Sequence, residues 1–288
     1  MSQNRGVVVL TGGTSGIGRI AATTLATAGW TVAVVGRDRA AGESLAAESS
    51  TASGMIRFHR ADLATQARVR SLAAELRDGY ARIDALVHNA GLSGSDRIET
   101  ADGIERTFAV NYLAPYLLTH ELLDSLRASA PARIVTTGTE LHRRATLDFE
   151  NLQFETGYDA RRAYSRSKLA LMAFTLELAA RLPADSGVTA NSFHPGFVPS
   201  TGLFRDAARR TRLLVRLAGL VPGVGTSPQA AADRLVRLVT DRTFGERTGV
   251  YVTGDGIEEP APEATDPALR ERLWERSAAL VGVDPAWP

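Results

Sequence analysis

The strongest constraint on the fold is a regular alternation of short, β-branched apolar runs with longer amphipathic segments. Such alternation is typical of repeated βαβ units, and near-continuous apolar strands indicate a parallel sheet covered by helices on both faces. The predicted strands are Val7–Leu10, Thr31–Val35, Met55–His59, Ala85–Val87, Arg133–Thr137, Val188–Phe193 and Gly249–Val252. The predicted helices are Gly16–Ala28, one that ends at Glu48, Gln66–Arg77, Gly103–Ser125 and Arg161–Leu182. We therefore expect one α/β domain over residues 1–288, with a parallel sheet of about seven strands.

A glycine-rich turn lies directly between the first predicted strand and the first predicted helix. It reads Thr11-Gly12-Gly13-Thr14-Ser15-Gly16-Ile17-Gly18. Glycines at these places permit tight backbone geometry and let a pyrophosphate approach the helix N-terminus, where free amides and the helix dipole favour anions. The turn predicts a doubly wound, Rossmann-type dinucleotide site; the alternative is a merely tight βα turn. The predicted cofactor-binding residues here are Gly12, Thr14, Ser15, Gly16, Ile17 and Gly18.

The end of the second strand indicates which dinucleotide binds. An acidic side chain at this place holds an adenosine 2′-hydroxyl, whereas arginine accommodates a 2′-phosphate. The chain has Arg37 first in line, followed by Asp38, and a second basic residue, Arg19, just past the glycine turn. This order favours NADP(H) over NAD(H), with the alternative that Asp38 points inward and accepts a ribose hydroxyl.

Tyr164 and Lys168 form the candidate chemical pair. Four residues apart on a predicted helix, they lie on the same face. A nearby ammonium stabilises a phenolate and lowers the pKa of the tyrosine toward neutrality, which makes the phenol usable as a general acid/base. The chain contains 32 arginines and one lysine, and that lysine is Lys168. The placement of the only lysine at this position indicates that the site requires a compact ammonium rather than any basic side chain.

Composition excludes several function classes. A formal net charge of +1 gives no bulk attraction to nucleic acid, and the absence of cysteine excludes disulfides, thiolate nucleophiles and cysteine-type zinc sites. No histidine pair has ligand-like spacing, so we expect no metal site. We find neither a signal-peptide pattern nor a run of about 18 apolar residues, and we expect a cytoplasmic protein without an integral membrane segment.

Several motifs together resemble the short-chain dehydrogenase/reductase family over nearly the whole chain. Beside the glycine turn and the Tyr-x-x-x-Lys pair, Asn111 matches the helix asparagine of the family's Asn-Ser-Tyr-Lys tetrad. The resemblance implies a nicotinamide cofactor, whose further contacts would come from matching positions: Asp62 and Leu63 at the adenine, Asn89, Ala90 and Gly91 after the fourth strand, and Pro195, Gly196 and Val198 at the nicotinamide carboxamide.

Longer stretches are similar to one branch of this family, the retinol dehydrogenases and their relatives. They are Asn151-Leu152, the run Ala163–Ala170, His194-Pro195-Gly196 and Leu273-Trp274-Glu275. The run from Pro195 to Arg205 also resembles protochlorophyllide reductases, but those enzymes carry an active-site cysteine that this chain lacks. The retinol dehydrogenase-like branch is therefore preferred.

The chain departs from the family at the catalytic serine, where Thr139 stands. Threonine keeps a hydroxyl that can hydrogen-bond a substrate oxygen, although its methyl group restricts rotation and crowds the pocket. Thr137 is a weaker substitute. The resemblance assigns catalysis to Asn111, Thr139, Tyr164 and Lys168. Tyr164 and Lys168 would also contact the cofactor, and Asn111, through its side chain or the local helix carbonyl, would order a water that links Lys168 to solvent.

Two segments that interrupt the alternation are the predicted substrate walls. One is Thr146–Asp159, and the other is the basic, apolar segment Leu203–Pro222, within a lid at about residues 199–225. The pattern of the second segment is typical of an amphipathic helix with a solvated face. The alternative is a mobile lid that recognises an acidic or extended apolar substrate or a membrane surface. A C-terminal extension is expected at about residues 254–288.

The expected activity is hydride transfer between NADP(H) and a carbonyl or alcohol of a small, apolar substrate. The alternatives are an epimerase or dehydratase that uses a bound nicotinamide, and a non-catalytic NADP-sensing or scaffold protein. The expected partner is the small-molecule substrate, with no nucleic acid. The resemblance also implies a homodimer or homotetramer formed through the helices that contain Asn111 and Tyr164.

Overall fold

The alternating strands form a single sheet in the computed structural model, which describes residues 5–49, 54–199, 225–254 and 256–288. The strands are β1 (Val7–Thr11), β2 (Thr31–Gly36), β3 (Met55–Arg60), β4 (Ala85–His88), β5 (Ala132–Thr137), β6 (Val188–His194), β7 (Tyr251–Thr253) and β8 (Gly256–Glu258). Their order is β3-β2-β1-β4-β5-β6-β7-β8. The doubly wound, Rossmann-type α/β class is confirmed.

Two details of the sheet differ from the expectation. The seven predicted strands are parallel, but β8 adds an eighth, antiparallel edge strand paired with β7. The seventh strand begins at Tyr251 rather than Gly249, because Gly249 has φ +74° and so leaves the extended conformation that a strand requires. Both differences lie at the edge of the sheet farthest from the glycine turn.

Helices cover both faces of the sheet. They are α1 (Gly16–Thr27), α2 (Arg39–Glu48), α3 (Gln66–Gly79), α4 (Arg106–Phe108), α5 (Ala114–Ala128), α6 (Ala160–Arg181), α7 (Pro228–Thr240), α8 (Arg242–Gly245), α9 (Pro262–Thr265) and α10 (Pro267–Val281). Helices α1, α2 and α7 bury their apolar sides in one core, whereas α3, α5, α6 and α10 contribute to the other. The fully buried strand β1 separates the two.

The helix expected over Gly103–Ser125 is interrupted. It begins at Arg106, passes through one π-helical turn at Ala109–Leu113 and continues as α5 to Ala128. A π turn holds one residue more than an α turn, and such turns occur often at functional sites. Asn111 lies at the centre of this turn.

The C-terminal extension packs on the outside of α5 and α6. Trp274 of α10 is buried and stacks on Phe174 of α6, with ring centroids 5.8 Å apart, and it meets Tyr116 of α5 edge to face. Helix α10 therefore covers part of the surface of α5 and α6. Among the described residues, no helix combines the length and apolar composition that crossing a bilayer requires.

Candidate active site

A cavity of about 560 Å³ opens at the carboxyl ends of the strands, beside the point where the strand order reverses between β1 and β4. Open α/β sheets bind ligands at such a switch point. The residues predicted from sequence that line the cavity are Gly12, Thr14, Ser15, Gly16, Ile17, Gly18, Arg37, Asp62, Leu63, Asn89, Ala90, Gly91, Thr139, Tyr164, Lys168, Pro195, Gly196 and Val198. Asn111 does not line it and is fully buried.

The glycine turn is packed too tightly for side chains. Gly12 and Gly16 have φ +69° and +54°, in the left-handed region that favours glycine. A Cβ atom on Gly18 would lie 2.3 Å from the carbonyl oxygen of Gly12, and one on Gly12 would lie 2.8 Å from the Cα of Ala90. The turn therefore brings the start of α1 directly against the end of β4.

Asn89 fastens the glycine turn to β4. Its side-chain amide donates to the carbonyl oxygens of Thr11 and Gly12, each at 3.2 Å. The backbone amides of Asn89 and Ala90 donate in return to the Thr11 hydroxyl, each at 3.1 Å. These bonds fix the floor of the cavity where the two strands end.

The N-terminus of α1 suits an anion. Ser15 occupies the N-cap position but makes no capping bond through its side chain, and no acidic residue stands in the first turn. By contrast, α2, α6 and α7 are each capped by a side chain. Because uncapped amides and the helix dipole attract phosphate, the cradle fits the pyrophosphate of a dinucleotide.

The residues after β2 separate into two roles. Arg37 is exposed at the cavity wall. Asp38 caps α2, since its carboxylate accepts the amide of Ala41 at 3.1 Å. Arg19 pairs with Glu48 at 2.7 Å and does not line the cavity. Asp38 also lines the cavity, with one carboxylate oxygen engaged in the cap, whereas Arg37 has no carboxylate within salt-bridge distance among the described residues.

Tyr164, Lys168 and Thr139 meet at the opposite end of the cavity. Lys168 is 3% exposed, and its Nζ donates to the carbonyl oxygen of Thr137 at 2.7 Å. Burial lowers the pKa of Lys168 to about 8. Burial also raises the pKa of Tyr164, and the opposing effect of the Thr139 hydroxyl is smaller. The expected lowering of the Tyr164 pKa is therefore wrong for this site: desolvation, which disfavours the phenolate, raises it.

Asn111 stabilises the site through hydrogen bonds to two neighbouring elements. Its Oδ1 accepts the Leu92 amide at 2.9 Å, and its Nδ2 donates to the Leu92 carbonyl at 2.9 Å and to the Ser167 hydroxyl at 3.0 Å. Ser167 donates in turn to the carbonyl oxygen of Tyr164 at 2.7 Å. The side chain of Asn111 thus links the loop after β4 to α6. Of the two routes expected for ordering a water, the one through the Asn111 side chain is thus engaged with protein groups.

Comparison with known proteins agrees with this geometry. The model of the family described as short chain dehydrogenase matches residues 6–211. The chain belongs to the short-chain dehydrogenase family. It is 36% identical to human (Homo sapiens) retinol dehydrogenase 13, over 96% of this chain and 85% of that protein.

Solved structures show the same fold. A putative uncharacterized protein from Mycobacterium paratuberculosis superimposes with a TM-score of 0.77 at 27% identity, over 96% of this chain and 94% of that one. The NADP active-site complex of Pseudomonas aeruginosa RhlG gives a TM-score of 0.69 at 29% identity, over 88% and 96%. Together with the family match, these comparisons make the chain a retinol dehydrogenase-like oxidoreductase.

Neither predicted substrate wall of this short-chain dehydrogenase is described as part of the main cavity. The segment Thr146–Asp159 does not line the main cavity; its residues Thr146 and Phe154 line a second cavity instead. The reason is that the buried Arg166 of α6 binds the carbonyl oxygens of Thr146 and Leu152 and draws the segment toward itself. The other predicted wall, Leu203–Pro222, lies outside the described residues.

Sequence reasoning missed several residues at the substrate end. Glu140, Leu141, His194 and Phe197 line the cavity beside the predicted residues. His142, which does not line it, donates from Nδ1 to the Thr139 carbonyl at 2.6 Å and accepts the Ala261 amide at Nε2. Their positions could have indicated a role, since Glu140 and Leu141 directly follow Thr139, and His194 and Phe197 flank Pro195 and Gly196. Strand alternation itself gives no information on loop side chains.

The single lysine makes its pKa directly measurable. Protein labelled with [¹³Cε]lysine should give one lysine resonance, which we expect to titrate with a midpoint near pH 8 because burial disfavours the ammonium. The folded protein would then hold a charged lysine below pH 8 and a neutral one above it. The same resonance in urea-unfolded protein, with a midpoint of about 10.4, serves as the control. A folded-state midpoint above 10 would contradict the desolvation of Lys168.

Proposed function

We propose that the protein is an NADP(H)-dependent oxidoreductase that interconverts a carbonyl and a primary or secondary alcohol on a small, largely apolar substrate. The observation that carries the proposal is the meeting of Tyr164, Lys168 and Thr139 in the cavity that contains the glycine turn. The similarity to retinol dehydrogenase 13, whose name describes an alcohol as substrate, supports it.

Residues of the cavity provide for the cofactor along its length. The start of α1 would hold the pyrophosphate, Arg37 the 2′-phosphate, and Asp62 and Leu63 the adenine. Asn89, Ala90 and Gly91, together with Pro195, Gly196 and Val198, would flank the nicotinamide half. A bound nicotinamide supplies or accepts the hydride. Gly196, with φ +86°, is held by Thr226 and Arg234 on the far side, because the Thr226 amide donates to Phe197 and Arg234 donates to Pro195.

Tyr164 acts as the proton donor when a carbonyl is reduced. Because burial raises its pKa, the phenol keeps its proton at neutral pH and is ready to protonate the developing alkoxide. Thr139 donates a hydrogen bond to the same oxygen and so stabilises charge that appears only in the transition state. Its carbonyl is fixed by His142, which limits the movement of the hydroxyl.

Lys168 holds the cofactor's ribose and supplies positive charge beside Tyr164. An ammonium has three N–H donors, and among the described residues only the Thr137 carbonyl accepts one of them. The remaining donors suit ribose hydroxyls, as a planar guanidinium would not. In the oxidation direction the same charge opposes the effect of burial and favours the phenolate.

Removing the Tyr164 hydroxyl tests the acid assignment. Tyr164→Phe should lower kcat/KM for carbonyl reduction roughly 10²–10⁴-fold, the usual contribution of a positioned proton donor. NADPH affinity, measured by isothermal titration calorimetry, should stay near the wild-type value. Tyr158→Phe is the matched control, since Tyr158 does not line this cavity. Unchanged turnover in Tyr164→Phe would exclude Tyr164 as the acid, and NADPH binding without turnover in the wild type would favour a sensor.

Cofactor preference tests the role of Arg37. Arg37→Gln should weaken NADPH binding about 10-fold or more, as expected for loss of a charge-assisted hydrogen bond, and leave NADH binding unchanged. Arg39→Gln is the control, because Arg39 pairs with Glu43 on the exposed face of α2. Equal losses for both cofactors, or no loss for either, would contradict a 2′-phosphate contact at Arg37.

A further inference from the structure

A second cavity, of about 280 Å³, lies beside the candidate active site. Its lining includes Phe154 and four arginines, Arg144, Arg161, Arg162 and Arg166. Leu141 lines both cavities, and Ser165 directly follows Tyr164 on α6. The lining thus contains four arginines and no acidic residue, next to the place where the substrate would react.

The four arginines lack carboxylate partners. In the described part of the chain, no carboxylate oxygen lies within salt-bridge distance of Arg144, Arg161, Arg162 or Arg166. The neighbouring Arg143, by contrast, pairs with Glu140 at 2.8 Å and with Glu258 at 3.4 Å. The nearest acidic residue to Arg161 and Arg162 in sequence, Asp159, is engaged as the N-cap of α6. Positive charge therefore gathers around this cavity; Asp148 and Glu155 act on Arg166 only from beyond salt-bridge distance.

Arg166 is the buried member of the group. It is 3% exposed, and its Nε donates to the carbonyl of Thr146 at 2.9 Å. One terminal nitrogen donates to the carbonyls of Asn151 and Leu152 at 2.5 and 3.3 Å. Burial lowers the pKa of Arg166 and Arg162 adds to this, whereas Asp148 and Glu155 oppose it from outside salt-bridge range. A buried charge that is not paired is costly, so an anion in this cavity would stabilise the site.

Phe154 fixes two of the guanidinium groups. Arg166 stacks 3.8 Å from the ring centroid and Arg162 lies 5.4 Å from it. Phe154 itself has φ +52°, which is rare for an aromatic residue and indicates that the surrounding contacts hold the backbone in place. Guanidinium groups held in this way lose less freedom when they bind an anion, because their orientation is already set.

The geometry points to a substrate-recognition site: the second cavity binds an anionic oxygen group, such as a carboxylate, at the end of the substrate remote from the reacting carbonyl or alcohol. The substrate class is then an amphipathic oxo or hydroxy acid with an apolar body. This inference rests on the proposed function for the reacting end of the molecule. Planar guanidinium forks match carboxylate oxygens in pairs, which gives the site its selectivity.

A series of matched substrates of increasing length tests the site. The substrates are ω-oxo acids of six to twelve carbons, which carry an aldehyde at one end and a carboxylate at the other, and their methyl esters. For the wild type with NADPH, we expect kcat/KM to favour the acid over its ester by about 10-fold at one preferred length, since several charge-assisted contacts each contribute a few-fold. Equal values for acids and esters at every length would overturn the proposal.

Variants assign that preference to the arginines. In Arg144→Gln/Arg162→Gln the preference should fall below about 3-fold, because one of the two guanidinium groups held by Phe154 is removed together with a second cavity arginine. Arg276→Gln is the control, because Arg276 is an exposed arginine on α10 away from both cavities, and it should keep the full preference. A preference that survives the double substitution would overturn the assignment.

A binding measurement separates this site from the proposed activity. Octanoate, titrated calorimetrically into NADP-loaded protein, should bind the wild type at least about 10-fold more tightly than it binds Arg144→Gln/Arg162→Gln, and octanol should not distinguish them. Equal octanoate binding to both proteins would overturn the site, whether or not any aldehyde is reduced. Failure to reduce any aldehyde would by itself refute only the proposed function. Octanoate should also compete with the preferred oxo acid; non-competitive inhibition would indicate a free effector anion and overturn the substrate assignment.

Discussion

The candidate active site depends on one buried ammonium. Lys168 is the only lysine of the chain, it is almost fully buried, and the one acceptor that the described protein offers it is the carbonyl oxygen of Thr137. A buried charge with so little compensation is costly, and its lowered pKa reflects that cost. The same charge adds to burial in lowering the pKa of His88 to about 3, which keeps that histidine neutral. Conditions of this kind are common at catalytic sites and rare elsewhere.

The structure around Lys168 holds it in place through the backbone. The π turn at Ala109–Leu113 directs Asn111 toward the loop after β4 and toward Ser167, one residue before the lysine. A Cβ atom on Gly91 would lie 3.5 Å from the Asn111 oxygen and 3.6 Å from the lysine nitrogen, so the loop passes between the two. The loop after β4, the π turn and α6 therefore hold Tyr164 and Lys168 together in fixed positions. This rigidity is what a proton donor needs, since its reach must match the substrate oxygen closely.

Much of this arrangement could be predicted from sequence, because it depends on local patterns. Strand and helix alternation predicts the sheet, and the spacing of Tyr164 and Lys168 predicts a shared helix face. The π turn could not be predicted, since apolar periodicity runs through it without a break. The spacing of Tyr164 and Lys168 also does not predict how deeply the phenol is buried, and burial is what raises the pKa of Tyr164. Which cavity the segment Thr146–Asp159 lines could not be predicted, because its path depends on bonds to the buried Arg166 of α6.

The central claim is that this cavity joins a nicotinamide dinucleotide to a carbonyl reduction in which Tyr164 gives the proton. The most direct measurement follows isotope from cofactor to product: [4,4-²H₂]NADPH is incubated with a panel of aldehydes and ketones, and the alcohols are analysed by mass spectrometry. We expect one deuterium on the former carbonyl carbon of each reduced product. Tight NADPH binding with no deuterium in any product of the panel would contradict the claim.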